Sequence, residues 1–339
     1  MTELVVFGAV TGGIVSALLP FVAIPMLRSI RLTDTANHRS SHRGVALRGL
    51  GIAPWGAFAA ALVVALKVPD DNQVLIAAIG ASLAIGLVGL VEDILGLPVV
   101  MRIGFQVAVG IGLSVALAPA LGSAAAWAMV AIAGFFIAYV NIANFMDGID
   151  GISGLHGTVV GAYFAAIGAF LGVEALAFAG ALLAVSFGAF TVWNIGPQLR
   201  FLGDVGSYLL GGAVAGCVGI AVSADVPLLV AVSPVLLHAT DAAYTLSRRI
   251  LSKARWYEAH REHLYQRLSS DAQWGHLPVA LVYALVAAAL SGLGALMLTD
   301  GFEVVGLVGQ GVILIAFVAL AERAIRTSRE LASSREDSR

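Results

Sequence analysis

Polar side chains recur at every third position in the segment that joins two long apolar stretches of this sequence. They are Asn141, Asn144, Asp147 and Asp150, in the run N-I-A-N-F-M-D-G-I-D-G. Amides and carboxylates are costly to place at the end of a membrane helix, so we expect these residues to have a function. Carboxylate and amide oxygens are ligands that Mg²⁺ or Mn²⁺ prefers. The alternative is an ordinary polar turn between two helices.

A straight helix could not direct these four side chains at one point. Each step of three residues falls about 60° short of a full turn, so the set rotates by half a turn along its length. Gly148 and Gly151 let the chain bend. We therefore expect a bend here that brings the polar groups together.

Two further acidic sites lie at the ends of apolar stretches. Glu92 and Asp93 are adjacent, and adjacent carboxylates repel each other unless a cation or a basic partner is present. Asp204 lies between Gly203 and Gly206, where glycines allow a ligand to approach the backbone of a helix start. The alternatives are a helix end in water for the pair and a common helix cap for Asp204.

Basic candidates lie in the early loop 34–51 and in the late loop 247–275. They are His42, Arg48, His260, Arg261 and His263. Clustered Arg and His side chains suit phosphate oxygens. The alternatives are contact with anionic lipid headgroups for the early loop and a basic amphipathic helix on the membrane surface for the late one.

Other polar residues in apolar stretches are expected to be structural. Asp241 is a buried carboxylate that we expect to pair with Arg248 or Arg249. Lone histidines inside or beside predicted spans are expected to be structural or interfacial; they are His156, His238 and His276.

The composition indicates a membrane protein. Of 339 residues, 59% are hydrophobic and 12% are charged, and a soluble domain carries about twice that charged fraction. Long apolar runs, rather than ten-residue alternations, predict an all-α polytopic membrane protein and exclude a barrel. Cys217 is the one cysteine, so no disulfide framework or thiolate metal site is expected. We expect no nucleic-acid partner.

Eleven apolar segments are each long enough to cross a hydrocarbon layer of about 30 Å. A break at Pro119 and Gly122 separates the fourth from the fifth, so we predict ten to eleven spans in one membrane domain, 1–339. The domain includes the loop 247–275 and a tail, 323–339. The segments are roughly 4–27, 50–67, 73–91, 102–121, 123–140, 153–172, 174–193, 206–224, 226–246, 276–298 and 303–322.

The distribution of basic residues predicts the orientation. With eleven spans, 18 of the 19 Lys and Arg residues fall on one side and only Lys67 falls on the other. Loops rich in Lys and Arg face the cytoplasm. We therefore expect a periplasmic or extracellular N-terminus, a cytoplasmic C-terminus and an active site at the cytoplasmic face of a bacterial inner membrane.

The motifs resemble those of a known superfamily. N-I-A-N-F-M-D-G-I-D-G is similar to the N-x-x-N-x-x-D-G-x-D-G motif, and R-F-L-G-D-V-G-S to the F-x-G-D-x-G-S motif, of the polyprenyl-phosphate N-acetylhexosamine-1-phosphate transferases. That superfamily includes phospho-MurNAc-pentapeptide translocase and the UDP-GlcNAc:undecaprenyl-phosphate transferases. A-H-R-E-H-L-Y-Q-R-L, with R-S-S-H near the start, most resembles the O-antigen-initiating branch, thought to use FucNAc- or QuiNAc-type donors.

The resemblance implies a reaction and a set of roles. A HexNAc-type sugar-1-phosphate would move from a UDP-sugar to undecaprenyl phosphate within the bilayer, with release of UMP and with Mg²⁺ or Mn²⁺ as cofactor. The implied metal ligands are Asp204 and Asp147. The implied catalytic residues are Asp93, Glu92, Asp147 and Asp150. The implied substrate-binding residues are Asn141, Asn144, Arg48, His42, His260, Arg261 and His263.

Two positions depart from the family pattern. The acidic pair of the family is usually Asp-Asp, whereas here it is Glu92-Asp93, so Asp93 is expected to keep the role of orienting or deprotonating the lipid phosphate. The proline-rich early loop of the branch is replaced by V-A-L-R-G-L-G at 45–51. This change bears on the conformation of the loop and on sugar or lipid selectivity.

Other functions remain open at the level of sequence. A donor of the UDP-GlcNAc type is the alternative within the family. The alternative of another class is a cation-coupled secondary transporter, which predicts acidic residues near the bilayer midplane in repeated halves. Here the acidic residues lie at span ends on one side. A homodimer also remains open.

Overall fold

The computed structural model describes residues 2–35, 45–67, 72–122, 125–196, 198–253 and 261–336. Within them, two short strands pair in an antiparallel hairpin, β1 (Thr33–Thr35) and β2 (Val45–Leu47), with Thr33 opposite Leu47. The helices are α1 (Thr2–Ser29), α2 (Ile52–Ala65), α3 (Gln73–Leu95), α4 (Val99–Leu117), α5 (Ala125–Phe145), α6 (Ile152–Leu171), α7 (Glu174–Asn194), α8 (Gly203–Ser223), α9 (Leu228–Val232), α10 (Leu236–Leu251), α11 (Leu264–Ser270), α12 (His276–Leu296) and α13 (Glu303–Glu336).

Ten helical segments in the described part of the chain are long and apolar enough to cross a membrane. Nine of them are the long helices α1, α3 to α8, α12 and α13. The tenth is Leu228–Leu251, in which α9 and α10 are joined by a 3₁₀ turn that contains Pro234. Helices satisfy every backbone polar group internally, which the apolar phase requires. The all-α polytopic class predicted from the sequence is confirmed.

Two predicted segments differ in length from the sequence expectation. The segment expected at 50–67 forms α2, which has only 14 residues and extends about 21 Å. It packs against α1, α3, α7 and α8. The last helix, α13, continues past residue 322 to Glu336, so the first part of the expected tail 323–339 is helical. Its Ala, Glu and Arg residues are strong helix formers and extend the helix beyond the apolar run.

Helix α8 is surrounded by the rest of the bundle. Within its apolar window 94% of the residues are buried, the largest share of any span. Its small residues permit this, because a Cβ at Gly211 would lie 2.5 Å from Val140 Cα of α5. Small residues let membrane helices approach closely. Helix α8 is thus the central helix, and its N-terminus carries Asp204.

The segment after β2 runs beside the segment that leads into α8. Leu47 N–H donates to Leu199 O at 2.8 Å, and Phe201 N–H donates back to Leu47 O at 2.8 Å. Farther along, Gly51 N–H donates to Leu202 O at 2.8 Å. These bonds hold Arg48 against the start of α8.

Candidate active site

Arg48 joins two carboxylates where α3, α8 and the segment after β2 meet. Its Nε lies 2.6 Å from Asp93 Oδ1, and its Nη2 lies 2.8 Å from Asp204 Oδ2. The side chain of Asp93 is fully buried, whereas those of Asp204 and Arg48 are 14% and 37% exposed. The exposed surface of this centre therefore lies at Asp204 and Arg48.

Asp93, near the end of α3, fixes the start of α8. Its Oδ1 accepts a hydrogen bond from Asp204 N–H at 3.0 Å, and its Oδ2 accepts one from Val205 N–H at 2.9 Å. N–H groups in the first turn of a helix have no partner within the helix, and the helix dipole favours an anion there. Asp93 thus caps α8 from a different helix and positions Asp204.

Glycines let these helix ends approach so closely. Gly203 has φ +74°, and a Cβ there would lie 2.7 Å from Asp93 Oδ2. A Cβ at Gly89 would lie 2.1 Å from the carbonyl oxygen of Asp204. The glycine before Asp204 is therefore needed for the contact with Asp93.

Asn144 holds Asp204 from the opposite side. Its Nδ2 donates to Asp204 Oδ1 at 2.7 Å and lies 3.0 Å from Ser207 Oγ. Since Arg48 occupies Oδ2, both oxygens of Asp204 have partners. Two of the sequence motifs, one on α5 and one on α8, therefore meet at Asp204. Ser207 was not among the predicted site residues, although it ends the same motif as Asp204.

Asp147 lies in the bend between α5 and α6. Ser153 Oγ donates to its Oδ1 at 2.6 Å. The pKa of Asp147 is raised to about 7, mainly by burial and also by the charges of Asp204 and Asp93, while Ser153 and Arg48 oppose the rise. The carboxylates of Asp147 and Asp204 thus lie within electrostatic reach of each other. The bend at Gly151, with φ +85°, agrees with the predicted departure from a straight helix.

The remaining members of the polar repeat have partners elsewhere. Asp150 Oδ2 lies 2.9 Å from His276 Nδ1 at the start of α12, so this histidine has an acidic partner that the sequence did not indicate. Asn141 Nδ2 donates to Gln106 Oε1 at 2.7 Å. These contacts tie the repeat to α12 and α4.

Glu92 also has a partner on α4. It accepts a hydrogen bond from Leu97 N–H, and its Oε1 lies 3.3 Å from Arg102 Nη1. Its charge still acts on Asp204. Arg102 follows the acidic pair by about ten positions, but no spacing rule marked it as a partner.

Asp241 organises the late loop. Its Oδ1 accepts Leu264 N–H at 2.9 Å and lies 3.2 Å from His263 Nδ1. Its Oδ2 accepts Tyr265 N–H at 3.1 Å and Tyr283 Oη–H at 2.6 Å. The expectation that Asp241 pairs with Arg248 or Arg249 was wrong. Arg248 instead pairs with Glu322 of α13, and Arg249 pairs with Glu262 of the late loop.

Tyr265 connects this loop to the bend that carries Asp147. Its hydroxyl donates to Phe145 O, the last residue of α5, at 2.9 Å. A Cβ at Gly148 would lie 2.2 Å from the same hydroxyl oxygen. Burial raises the pKa of Tyr265 well above its ordinary value, Asp241 and Asp147 raise it further, and Arg261 lowers it. Arg261 therefore lies within electrostatic reach of Tyr265.

The other end of α11 is held by α13. Arg267 makes two contacts with Glu322, Nη1 to Oε1 at 2.5 Å and Nη2 to Oε2 at 3.0 Å. Tyr244 Oη also donates to Glu322 Oε1 at 2.8 Å. Of the predicted phosphate-binding residues, Arg48, Arg261 and His263 are described. His42 and His260 lie outside the described residues.

The oxygen atoms of these side chains suit a divalent cation whose remaining ligands come from the substrate. Among the described residues no three or more His, Cys, Asp or Glu side chains form a ready metal cluster. Mg²⁺ is often held by one or two carboxylates, with substrate phosphates and water as further ligands. Asp204 and Asp147 are two carboxylates of that kind, and Asn144 and Ser207 add oxygen atoms beside them. The residues therefore fit an ion shared with a phosphate.

The fold and this site define a multi-pass α-helical membrane protein with an acidic centre at the ends of its helices. Residues 75–223, which are less than half of the chain, match the family model Glycosyl transferase family 4. The match supports the phospho-sugar-transferase superfamily and indicates a glycosyl-phosphate transferase. That family implies a nucleotide-sugar donor and a lipid-phosphate acceptor in a membrane. No curated protein matches this chain.

The matched segment covers only part of the site. It includes Asp93, the polar repeat and Asp204, and it omits Arg48 and Asp241. The loop that Asp241 organises therefore lies outside the match.

Proposed function

We propose that this protein transfers a HexNAc-type sugar-1-phosphate from a UDP-sugar to undecaprenyl phosphate and releases UMP. The reaction would start a cell-surface glycan such as an O-antigen at the cytoplasmic face of a bacterial inner membrane. By resemblance of the late loop, a FucNAc- or QuiNAc-type sugar is the proposed donor. The observation that carries the proposal is the meeting of Asp204, Asn144 and Arg48 at one helix end, beside Asp147.

Asp204 and Asp147 would hold the metal ion and, through it, the diphosphate. Mg²⁺, when bound, would neutralise charge on the diphosphate and on the departing UMP. Asn144 orients Asp204 through its 2.7 Å hydrogen bond. Phosphoryl transfer depends largely on positioning and charge neutralisation, so fixed carboxylates suit it.

Arg48 is suited to contact a phosphate as well as the carboxylates. It is the one basic member of the centre with a side chain more than a third exposed, and guanidinium binds phosphate well. We assign it to the acceptor phosphate. Asp93, which is fully buried, would act through Arg48 and Asp204 as a positioning residue. That Asp93 orients or deprotonates the lipid phosphate stays a prediction.

The late loop would hold the donor. Asp241 fixes the backbone of His263 to Tyr265, and Tyr265 fixes the loop against the end of α5. Arg261 and His263 in this loop would bind the diphosphate or the sugar. Glu92, Asp150 and Asn141 keep proposed supporting roles through their partners on α4 and α12.

The test is UMP release by the purified full chain in detergent with undecaprenyl phosphate, Mg²⁺ and a panel of UDP-HexNAc donors. We expect release only when lipid and metal are both present, and loss of release in Asp204→Asn. The matched control is Asp225→Asn, an exposed aspartate between α8 and α9 with φ +59°, which Asn also tolerates.

Each outcome decides between functions. Release with UDP-GlcNAc alone would support the transferase activity and would reject the proposed FucNAc- or QuiNAc-type donor. If every donor fails while the folded protein still binds Mg²⁺, the transferase proposal is rejected. Cation-coupled transport would then be measured in vesicles.

A further inference from the structure

Two arginines lie on segments that the hairpin joins, the end of α1 and the segment that leads into α8, and in the described part of the chain neither has an acidic partner. Arg28 is in the last turn of α1, and Arg200 lies in the segment that leads into α8. Burial, and then the positive charge of Arg28, lowers the pKa of Arg200. In the described part of the chain neither guanidinium has a hydrogen bond or an ion pair with a carboxylate, and Arg200 Nε is buried without an acceptor.

An aromatic side chain holds Arg200 in this position. Its Cζ lies 5.0 Å from the ring centroid of Trp193, at the end of α7. The Trp193 indole N–H donates to Ala17 O at 3.0 Å, so the ring is itself fixed to α1. The backbone oxygen of Arg200 accepts from Asn194 Nδ2 at 2.8 Å. Arg200 is therefore held beside the ring of Trp193, which is itself fixed to α1.

The surface below this pair is apolar and exposed. Phe21, which packs edge-on against Trp193 at 4.9 Å, is exposed, and so are Val22 and Val192. In a membrane-spanning bundle an exposed apolar strip faces acyl chains. Among the described residues these two arginines have no carboxylate partner, and with the indole they match the anionic headgroup of a lipid whose tails would lie along the strip.

We propose that Arg28, Arg200 and Trp193 form a binding site for the phosphate of an anionic bilayer phospholipid. The phosphate supplies the negative charge that the pair lacks, and the acyl chains lie along Phe21, Val22 and Val192. This site differs from the candidate active site, where Arg48 already has two carboxylate partners. It does not depend on the proposed transferase activity.

The experiment uses native mass spectrometry of the purified full chain in neutral detergent, titrated with phosphatidylglycerol, phosphatidylcholine or undecaprenyl phosphate. The test variant is Arg28→Gln/Arg200→Gln. The control is Arg326→Gln, an exposed arginine of α13. We expect the double variant to bind phosphatidylglycerol about tenfold more weakly or worse, because each basic residue near an anionic headgroup contributes several-fold. The control should bind it like the wild type, and phosphatidylcholine should not distinguish the proteins.

A melting curve in lipid-free detergent shows whether the double variant folds. We expect its melting temperature to be equal to or above that of the wild type, since a like-charge repulsion has been removed. Phosphatidylglycerol should raise the melting temperature of the wild type and not that of the variant. If the double variant misfolds, Arg200→Gln alone takes its place.

Equal phosphatidylglycerol binding by variant and wild type would overturn the proposal. Loss of undecaprenyl phosphate binding alone would also overturn it, because the pair would then belong to the acceptor.

Discussion

A single guanidinium bridges two carboxylates at the centre of this protein. Arg48 contacts Asp93 and Asp204 at once, and Asp93 also accepts two backbone N–H groups. Removing the arginine leaves two negative charges that repel each other. A divalent cation at the same place would serve the same electrostatic purpose.

The variant Arg48→Gln tests whether Arg48 offsets the repulsion between Asp93 and Asp204. We expect the metal-free variant to lose about 1–2 kcal/mol of unfolding free energy, a modest value because Arg48 is more than a third exposed and solvent screens it. Millimolar Mg²⁺ should restore most of the loss. The measurement is denaturant unfolding in detergent. Arg248→Gln, which removes a similarly exposed partner of Glu322, should show no Mg²⁺ rescue. Equal rescue of both variants would contradict the prediction.

Asp147 predicts a pH dependence of metal binding. With a pKa of about 7, its carboxyl group is about one-tenth ionised at pH 6 and about nine-tenths ionised at pH 8. A metal ion requires the ionised form. We therefore expect Mg²⁺ affinity, measured by calorimetry, to rise about tenfold over this range. Asp147→Asn should bind more weakly without that rise. A pH-independent affinity in the wild type would rule out Asp147 as a ligand.

Ionisation of the same carboxyl group, which strengthens metal binding, lowers the stability of the metal-free protein. Its folded pKa is raised above its ordinary value of 3.8, so the folded state favours the neutral form. The stability that this form contributes is complete below about pH 4 and is lost as the pH rises through about 7. Metal-free wild type should melt at a lower temperature at pH 8 than at pH 5. The difference should be smaller in Asp147→Asn.

At the residue scale, the sequence predicted which residues belong to the site better than it predicted which residues they contact. It marked Asp204 and Asn144 through their motifs, and these two residues are in contact. It could not show that Asp93 turns its carboxylate toward backbone N–H groups of α8, because that depends on how two distant helices pack. It also missed His276 and Gln106, whose partners lie 126 and 35 positions away.

At the scale of elements, hydrogen bonds fix the position of the late loop against α10 and the end of α5. Tyr265 is the link, since its backbone is held by Asp241 of α10 and its hydroxyl by the end of α5. The loop is therefore connected to the bend that carries Asp147. Any change in this link should alter donor binding more than it alters the stability of the bundle.

Tyr265→Phe tests the connection. Loss of one hydrogen bond of about 1 kcal/mol should lower kcat/KM for the UDP-sugar about fivefold, mainly through KM. Tyr163→Phe is the matched control, because its hydroxyl also donates to a backbone oxygen, Val230 O at 2.8 Å, in another part of the core. Both variants should lose similar stability. Equal kinetic losses would mean that Tyr265 acts only as a packing residue.

The Asn141–Gln106 pair tests whether α4 is joined to α5 by an amide bridge. Asn141→Leu should cost about 1–3 kcal/mol of unfolding free energy, because it leaves the buried amide of Gln106 without its partner. Gln106→Leu should cost less, because Asn141 Nδ2 keeps its bond to Ile137 O. The double variant should cost less than the sum of the two. Additive losses would show that the pair is not coupled, and would favour a direct substrate role for Asn141.

At the element scale, apolar length predicted nine of the long helices well. It overestimated α2, because residues 50–66 contain no charged side chain while the helix covers only Ile52–Ala65. Hydropathy shows that a segment is suited to an apolar environment. It does not show whether lipid or other helices provide that environment. The sequence therefore could not show that α2 lies against four neighbouring helices.

For the whole molecule, whether α2 crosses the membrane decides on which side each terminus lies. If α2 crosses the membrane there are eleven crossings and the termini lie on opposite sides. If it does not, there are ten and they lie on the same side. The distribution of Lys and Arg favours eleven, with Lys67 at the far end of α2.

Cysteine labelling decides between these arrangements. The native Cys217 is buried and should not react, so single cysteines can be introduced directly. With eleven crossings, Lys67→Cys and Asp300→Cys should react from the periplasm with an impermeant reagent, and Ser334→Cys only after the membrane is opened. Labelling of Lys67→Cys from the cytoplasmic side would show that α2 does not cross.

The position of α8 separates the site from the surrounding bilayer. Peripheral helices such as α13 and α4 are 17% and 22% buried, so they meet lipid along most of their length, whereas α8 is 94% buried and meets other helices. Tilting and local thickening, which compensate for hydrophobic mismatch, act on lipid-facing helices. Membranes of different thickness should therefore change the tilt of α13 and α4 while the end of α8 that carries Asp204 keeps its geometry.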